Sequence, residues 1–309
     1  MNARRISSAV ILTAGIWCTP QRLHGQSADA HASAAFSAVE VVREHRYQVD
    51  VRMRPFLVWI CESNIGDGRL TWRRGRDGTL GYELLVGSDP ARTPRHINRW
   101  GYLREESGDS GAIVFGVMSQ SDGQSVDEAD KSTSRTDGIH AFTALRQLLA
   151  GSQARVIVSD VRLAKDLTYT DLDVLLSAVP AAPSTAKTVA MGQWTSPGFL
   201  AAAASLMEAG RTTAGKASKA QQFVRTYPYN GHLYELQLRS ADHVDLYARE
   251  GRSFGAAIRG LFRVLNRTTG EETPFTVFYG VDGDLDGVPL LISWRPRWWL
   301  EIECALRND

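Results

Sequence analysis

Cysteine is scarce in this chain of 309 residues: Cys18, Cys61 and Cys304 are the whole complement. That excludes a disulfide-dense scaffold and a cysteine-built zinc module. Histidine is thin as well, and no His-x-His or His-Glu-x-x-His pair occurs; His140, His232 and His243 are scattered. A histidine metal site is therefore not read. No Gly-x-Gly-x-x-Gly or phosphate loop follows a strand-like run, so no nucleotide is expected. Charge of one sign is missing too. The formal net charge is +1, which offers no electrostatic case for nucleic acid or an anionic membrane surface. The single continuous apolar run near the N-terminus, Ile6 to Trp17, is too short to span a bilayer.

That run has a different meaning. Arg4 and Arg5 precede it and a polar segment of small residues follows, the layout of a secretory signal peptide. Cleavage is expected after Gly25 or after Ala30, and Trp17 before Cys18 is too bulky for a lipoprotein site. The expectation is an exported protein, periplasmic or extracellular, with residues 1–25 as leader, 26–45 as a flexible lead-in and no transmembrane segment in the mature chain. Losing Arg4, Arg5 and Arg22 takes the basic count from 35 to 32 against 34 acids, a net charge of −2. Cys61 and Cys304 are left. In an oxidising compartment they form a disulfide or stand as two small buried thiols.

From Arg46 the chain reads as short runs rich in β-branched and aromatic residues separated by turn tracts. Examples are Arg69–Arg74 and Leu80–Val86 around Gly75-Arg76-Asp77-Gly78, then Ile97–Glu106, Ala112–Ser119, Ile139–Leu149 and Ala154–Leu163. Spacing so short favours an antiparallel meander over βαβ crossovers. The stretch 168–222 is helical in character. One helix, Asp171–Val179, is capped by Thr170 and stopped by Pro180. A second begins at Pro197 behind Ser196, turns Phe199, Leu200, Ala203 and Met207 inward, and ends at Gly210. Pro180–Lys187 between them reads as a loop. Strands resume at His232–Arg239, Ala256–Asn266 and Pro274–Tyr279.

The final run, Val288–Leu306, alternates after Pro296, with Trp298, Leu300, Ile302, Cys304 and Leu306 on one side and Trp299, Glu301, Glu303 and Arg307 on the other. So much apolar area must be covered by the rest of the chain. Runs such as Phe56–Cys61 and Ala256–Val264 are too continuous for a sheet wetted on one face and predict cover on both. The fold class expected is mainly β: one domain over 46–309, an antiparallel barrel or strongly curved sheet with a few covering helices.

Arg54-Pro55-Phe56-Leu57-Val58-Trp59-Ile60, Gly87-Ser88-Asp89-Pro90 through Ile97-Asn98-Arg99-Trp100-Gly101-Tyr102, and Pro296-Arg297-Trp298-Trp299 together resemble a family of exported bacterial proteins with no assigned activity. The resemblance spans most of the mature chain and implies no catalytic residues.

Three tracts carry candidate chemistry. Asp282-Gly283-Asp284-Leu285-Asp286-Gly287 matches the first half of a calcium loop, with Asp282, Asp284 and Asp286 as ligands. The helix–loop–helix version needs a glutamate where Ser293 stands, and a Gly/Asp hairpin turn explains the same residues. Calcium is the one cofactor considered. Gly108-Asp109-Ser110-Gly111 resembles the nucleophile tract of chymotrypsin-like proteases, but Ala112 and Ile113 depart from it and no upstream histidine has the right setting, so it reads as a turn. The densest Arg/aromatic cluster is Trp294, Arg295, Arg297, Trp298 and Trp299, with Arg99, Trp100, Trp59 and Trp72 as neighbours if the strands curl together. It reads as a recognition patch or as a sheet rim where Arg stacks on Trp. The function expected is binding of a small apolar or amphipathic ligand, or an envelope component, in a β-walled cavity. Alternatives are a hydrolase of envelope glycan or lipid using Glu235, Glu301 or Glu303, and a calcium-stabilised structural module.

Overall fold

A computed structural model describes residues 40–53, 60–75, 78–93, 96–108, 111–119, 139–164, 166–214, 223–297 and 299–307. The expected leader, most of the lead-in, Trp59, the Asp109-Ser110 pair and Trp298 lie outside these residues. Strands β1 (Glu40–Met53), β2 (Ile60–Arg74), β3 (Leu80–Ser88), β4 (Trp100–Gly108), β5 (Gly111–Ser119), β6 (Ile139–Ala150) and β7 (Gln153–Ala164) follow one another. Helix α1 (Leu172–Ala178), strand β8 (Ser184–Ala190) and helix α2 (Phe199–Thr213) come next. Strands β9 (Phe223–Tyr229), β10 (His232–Val244), β11 (Ala248–Arg249), β12 (Arg252–Ser253), β13 (Ala257–Asn266), β14 (Glu272–Gly280), β15 (Pro289–Arg297) and β16 (Leu300–Leu306) complete the chain.

Apart from the small β11–β12 ribbon, the strands make one antiparallel sheet of 14, in the order β8-β7-β6-β5-β4-β3-β2-β1-β16-β15-β14-β13-β10-β9. The last strand pairs with the first, Tyr47 opposite Leu306 through Met53 opposite Leu300. The C-terminal segment thus joins the two halves at the middle of the sheet. Short turns allow this ordering, since antiparallel neighbours need only a few connecting residues.

Three details differ from expectation. Val288–Leu306 is a hairpin, β15 paired with β16, with Trp299 in its turn. β8 is a strand on β7, although its side chains are mostly exposed. An edge strand with one open flank lacks the apolar alternation that marks a strand in sequence. Finally, β1 starts at Glu40, before the expected change of character at Arg46.

The sheet does not close as a barrel, because β8 and β9 share no ladder. Its ends nonetheless approach each other. Fully buried Gln147 on β6 donates from Nε2 to Pro228 O on β9 (2.9 Å), and its Oε1 accepts from Gly231 N (3.3 Å). Beside this seam the segment after β8 lies along the free side of β9, where Thr195 N and Ser196 N both donate to Thr226 O at 3.0 Å. Edge amides that would template a foreign strand are covered in this way.

Period-2 alternation sorts side chains to two faces. On the inner face, Tyr227, Leu236, Phe262, Val277, Ile292, Cys304, Tyr47, Leu84, Leu103, Val114 and Val156 gather around α2. On the other face, Trp100, Tyr102, Phe115, Val117, Phe142 and Val161 pack under Leu172 and Leu175 of α1. The two runs expected to be covered on both faces differ from this: residues 56–59 lie outside the described residues, Ile60 and Cys61 are exposed, and β13 is buried on the α2 side while Arg259 on its other side is exposed. Leu206 of α2 is fully buried whereas Val174 of α1 is 47% exposed. Leu206→Ala is expected to cost roughly 2–5 kcal/mol and Val174→Ala less than about 0.5 kcal/mol, read from urea unfolding midpoints at constant slope.

Candidate functional site: an apolar cavity beneath α2

Helix α2 lies against the inner face but does not fill it. Phe199, Leu200, Ala203, Ala204 and Met207 form one wall of a cavity of about 80 Å³. The sheet supplies the others, with Tyr47, Leu70, Trp72, Tyr82 and Leu84 from β1 to β3 and Phe275, Val277, Ile292, Trp294 and Cys304 from β14 to β16. The small side chains of Ala203 and Ala204 are what leave the space. The lining is almost wholly apolar. The Tyr47 hydroxyl is satisfied by donating to Pro289 O (3.0 Å), and burial pushes the Cys304 thiol up to about 12, so it stands as a neutral thiol.

One charge sits under this wall. Glu105 on β4 is 1% exposed, and its carboxylate accepts from Leu200 N (2.8 Å) and Ala201 N (3.0 Å). A helix leaves its first amides unpaired, and its N-terminal dipole favours an anion. Here a strand supplies that anion. The expected cap, Ser196, is instead buried with its amide on Thr226, and Gly198 occupies the cap position with no side-chain bond. A Cβ on Gly198 would stand 2.3 Å from the Glu105 carboxyl carbon, so glycine is required for the carboxylate to approach. Burial pushes Glu105 up to about 7, against the lowering effect of the Ala201, Leu200 and Phe199 amides. Tyr82, Tyr227 and Tyr229, each raised first by its own burial, are raised further by this charge.

The expected recognition cluster is divided. Trp294 lines the cavity, as does Trp72. Arg295 is exposed and ion-paired with Glu301 (3.0 Å). Trp299 is half-buried against the apolar cluster of β15 and β16 and is not among the cavity-lining residues. Arg297 lies at the end of β15. Arg99 precedes β4, its amide donating to Ser88 Oγ (2.8 Å). Trp100 is fully buried on the face away from α2, its ring 4.8 Å from Phe142. Trp100 and Trp294 therefore serve opposite faces, which an alternation count within one strand cannot reveal.

Glu301 and Glu303 also face away from the cavity, on β16, as the alternation predicts. Glu303 pairs with Arg249 (2.9 Å) and Arg52 (3.1 Å), and Arg249 also holds Asp50 (2.7 Å). Burial holds the Glu303 carboxyl above its usual range despite Arg249 and Arg52. Burial also raises Glu301, but hydrogen bonds from Arg295 and Ser293 outweigh it and leave that carboxyl lowered. Glu235 is paired with Arg267 (3.3 Å).

Cys61 and Cys304 are both free. They flank β1, Cys61 opposite Arg52 and Cys304 opposite Val49, so Cys304 points into the cavity and Cys61 to the other face. Thiols directed to opposite faces cannot bridge. The Asp282–Gly287 tract turns the chain from β14 to β15, with Gly283 and Gly287 at positive φ, as the turn reading requires. Asp284 and Asp286 give backbone carbonyls to Arg43 Nη1 (3.4 and 3.0 Å). Among the described residues no group of three His, Cys, Asp or Glu side chains is placed to hold a metal ion.

Comparisons with protein families, with characterised proteins and with solved structures return no match. The geometry alone bears on function. Sequence reasoning found the inward face of α2 but missed Glu105, although one signal was present. Glu105 is in phase with Leu103 on β4, a charge on an apolar stripe, which calls for a buried partner.

The pH dependence of stability follows. With its folded pKa near 7, above the ordinary carboxylate value of 4.5, Glu105 takes up a proton in the folded state before it does in the unfolded chain. Its contribution is then fully present below about pH 4.5 and is lost as pH rises through about 7. Glu105→Gln is expected to flatten the fall in unfolding free energy between about pH 5 and 8 relative to the parent, measured by urea titration at each pH.

Proposed function

We propose that this protein binds an apolar or amphipathic small molecule between α2 and the inner face of the sheet, as a carrier or holder and not as an enzyme. The observation that carries this reading is the cavity: a lining of aliphatic and aromatic side chains, with the Glu105 carboxylate beneath α2 turned to the helix amides. Solid cores pack to crystal density and leave few such spaces, and concave apolar sites are where proteins hold ligands. The export expected from the leader would place it where envelope lipids are handled. Among the described residues no helix is long and apolar enough to cross a membrane.

Size sets a condition. An apolar cavity of about 150 Å³ holds one benzene, so the 80 Å³ here admits a short stretch of a single chain. A longer ligand needs α2 to shift outward. The helix wall that would move includes alanines, and its first amides are held by the Glu105 side chain and not by a strand ladder.

The test is titration with N-phenyl-1-naphthylamine, whose emission rises in apolar surroundings, with Trp72 and Trp294 fluorescence as the internal reporter. Micromolar binding that quenches tryptophan is expected. Ala203→Phe, which fills the space, is expected to weaken it about tenfold or more with far-UV circular dichroism unchanged. Failure of the parent protein to bind the dye, or equal binding by the filled variant, would sink the reading.

A further inference from the structure

A second recess of about 140 Å³ opens beside the apolar cavity and shares Trp72, Ala204 and Met207 with it. Its character is different. Arg43, Glu208, Arg211, Tyr279 and Asp286 line it, so two cations and two anions stand at the rim of an otherwise uncharged space.

The state of each group matters. Arg43 lies over Trp72, 5.0 Å from the ring centroid, and its guanidinium donates to the Asp284 and Asp286 carbonyls. No carboxylate pairs with it among the described residues. A guanidinium held by stacking and two carbonyls is positioned, and it retains donors for an anion. Tyr279 is fully buried, and its hydroxyl has no hydrogen-bond partner among the described residues. Such a group is costly to leave unmade. Asp286 Oδ1 is likewise buried without a hydrogen bond, with Arg211 Nε at 3.7 Å. Glu208 and Arg211 form a bidentate pair on α2, at 2.7 and 2.8 Å. Donors with no carboxylate partner among the described residues (Arg43, Tyr279) and two carboxylates sharing one guanidinium (Glu208 and Asp286, both on Arg211) thus lie in one recess, next to an apolar slot.

We propose that this rim is the head-group subsite for a zwitterionic phospholipid, its phosphate held by Arg43 and the Tyr279 hydroxyl, its ammonium by Asp286 and Glu208, and its acyl chain running past Trp72 into the cavity. A purely anionic head would meet two carboxylates and a cationic head two guanidiniums, whereas a head carrying both charges matches each. The proposal rests on the apolar-ligand reading above and adds the ligand class.

The experiment is a titration of the full mature chain with lysophosphatidylethanolamine, lysophosphatidylglycerol and monoacylglycerol of one chain length, below their micelle concentrations, followed by tryptophan fluorescence and native mass spectrometry. Phosphoethanolamine without a chain is included, and N-phenyl-1-naphthylamine is titrated in parallel to report the cavity by itself. The ethanolamine lipid is expected to bind about tenfold tighter than the other two, with free phosphoethanolamine a poor competitor. Arg43→Gln is expected to weaken both phospholipids about tenfold, and Asp286→Asn to weaken the ethanolamine lipid alone and erase its advantage over the glycerol lipid. Asp286→Asn changes one turn side chain, so it decides the matter even should the Arg43 variant fail to fold. Dye binding with no discrimination among the three lipids, or competition by phosphoethanolamine equal to that of the lipid, would overturn the subsite and leave the cavity standing. Absence of binding by dye and lipids together would overturn both.

Discussion

The hydrogen bonds from the first amides of α2 to the Glu105 carboxylate are the constraint on which the interior depends. A sheet this wide needs cover on the side where α2 lies, because its inward residues are apolar along nearly every strand. Helix α2 supplies that cover, and Glu105 sets where along the sheet it begins. The carboxylate satisfies two otherwise orphaned amides and meets the positive end of the helix dipole, which offsets part of the cost of burying it. Gly198 is the local condition for the contact. Remove the bond and α2 retains its apolar face but loses its position.

The inner and outer faces of the sheet divide their roles. Inside, aromatic and aliphatic side chains and alanines surround a space. Outside, Asp50, Arg52, Arg249, Glu301, Glu303 and Arg295 form ion pairs across β1, β11, β15 and β16. Each charge there has an opposite partner, which is how half-buried ions on a sheet are tolerated. The contrast leaves the cavity with low polarity while the charges of these strands pair with one another on the opposite face.

Much of this was legible in the chain. Alternation placed Ile302 and Cys304 opposite Glu301 and Glu303, and the helical spacing of Phe199, Leu200, Ala203 and Met207 identified the inward face of α2. The Asp282–Gly287 tract reads as a turn and is one. What eluded local patterns was long-range. That Trp100 and Trp294 belong to opposite faces follows only from tracing register across the sheet. That α2 is capped by a residue on β4 breaks the rule that caps are found beside their helix. β8 was hidden because its exposed side chains carry no stripe, and the Cys61–Cys304 bridge was plausible until β1 came between them.

The seam between β6 and β9 has its own consequence. In a barrel closed by a full ladder, girth is fixed by strand number and stagger, and widening it would break a row of backbone bonds. Here the join rests on one glutamine and a few amide contacts. Among the described residues the two ends of the sheet are therefore held at their distance by side-chain and loop hydrogen bonds and by no strand ladder, so their spacing is set without the registration of backbone pairs that fixes every other neighbour in the sheet.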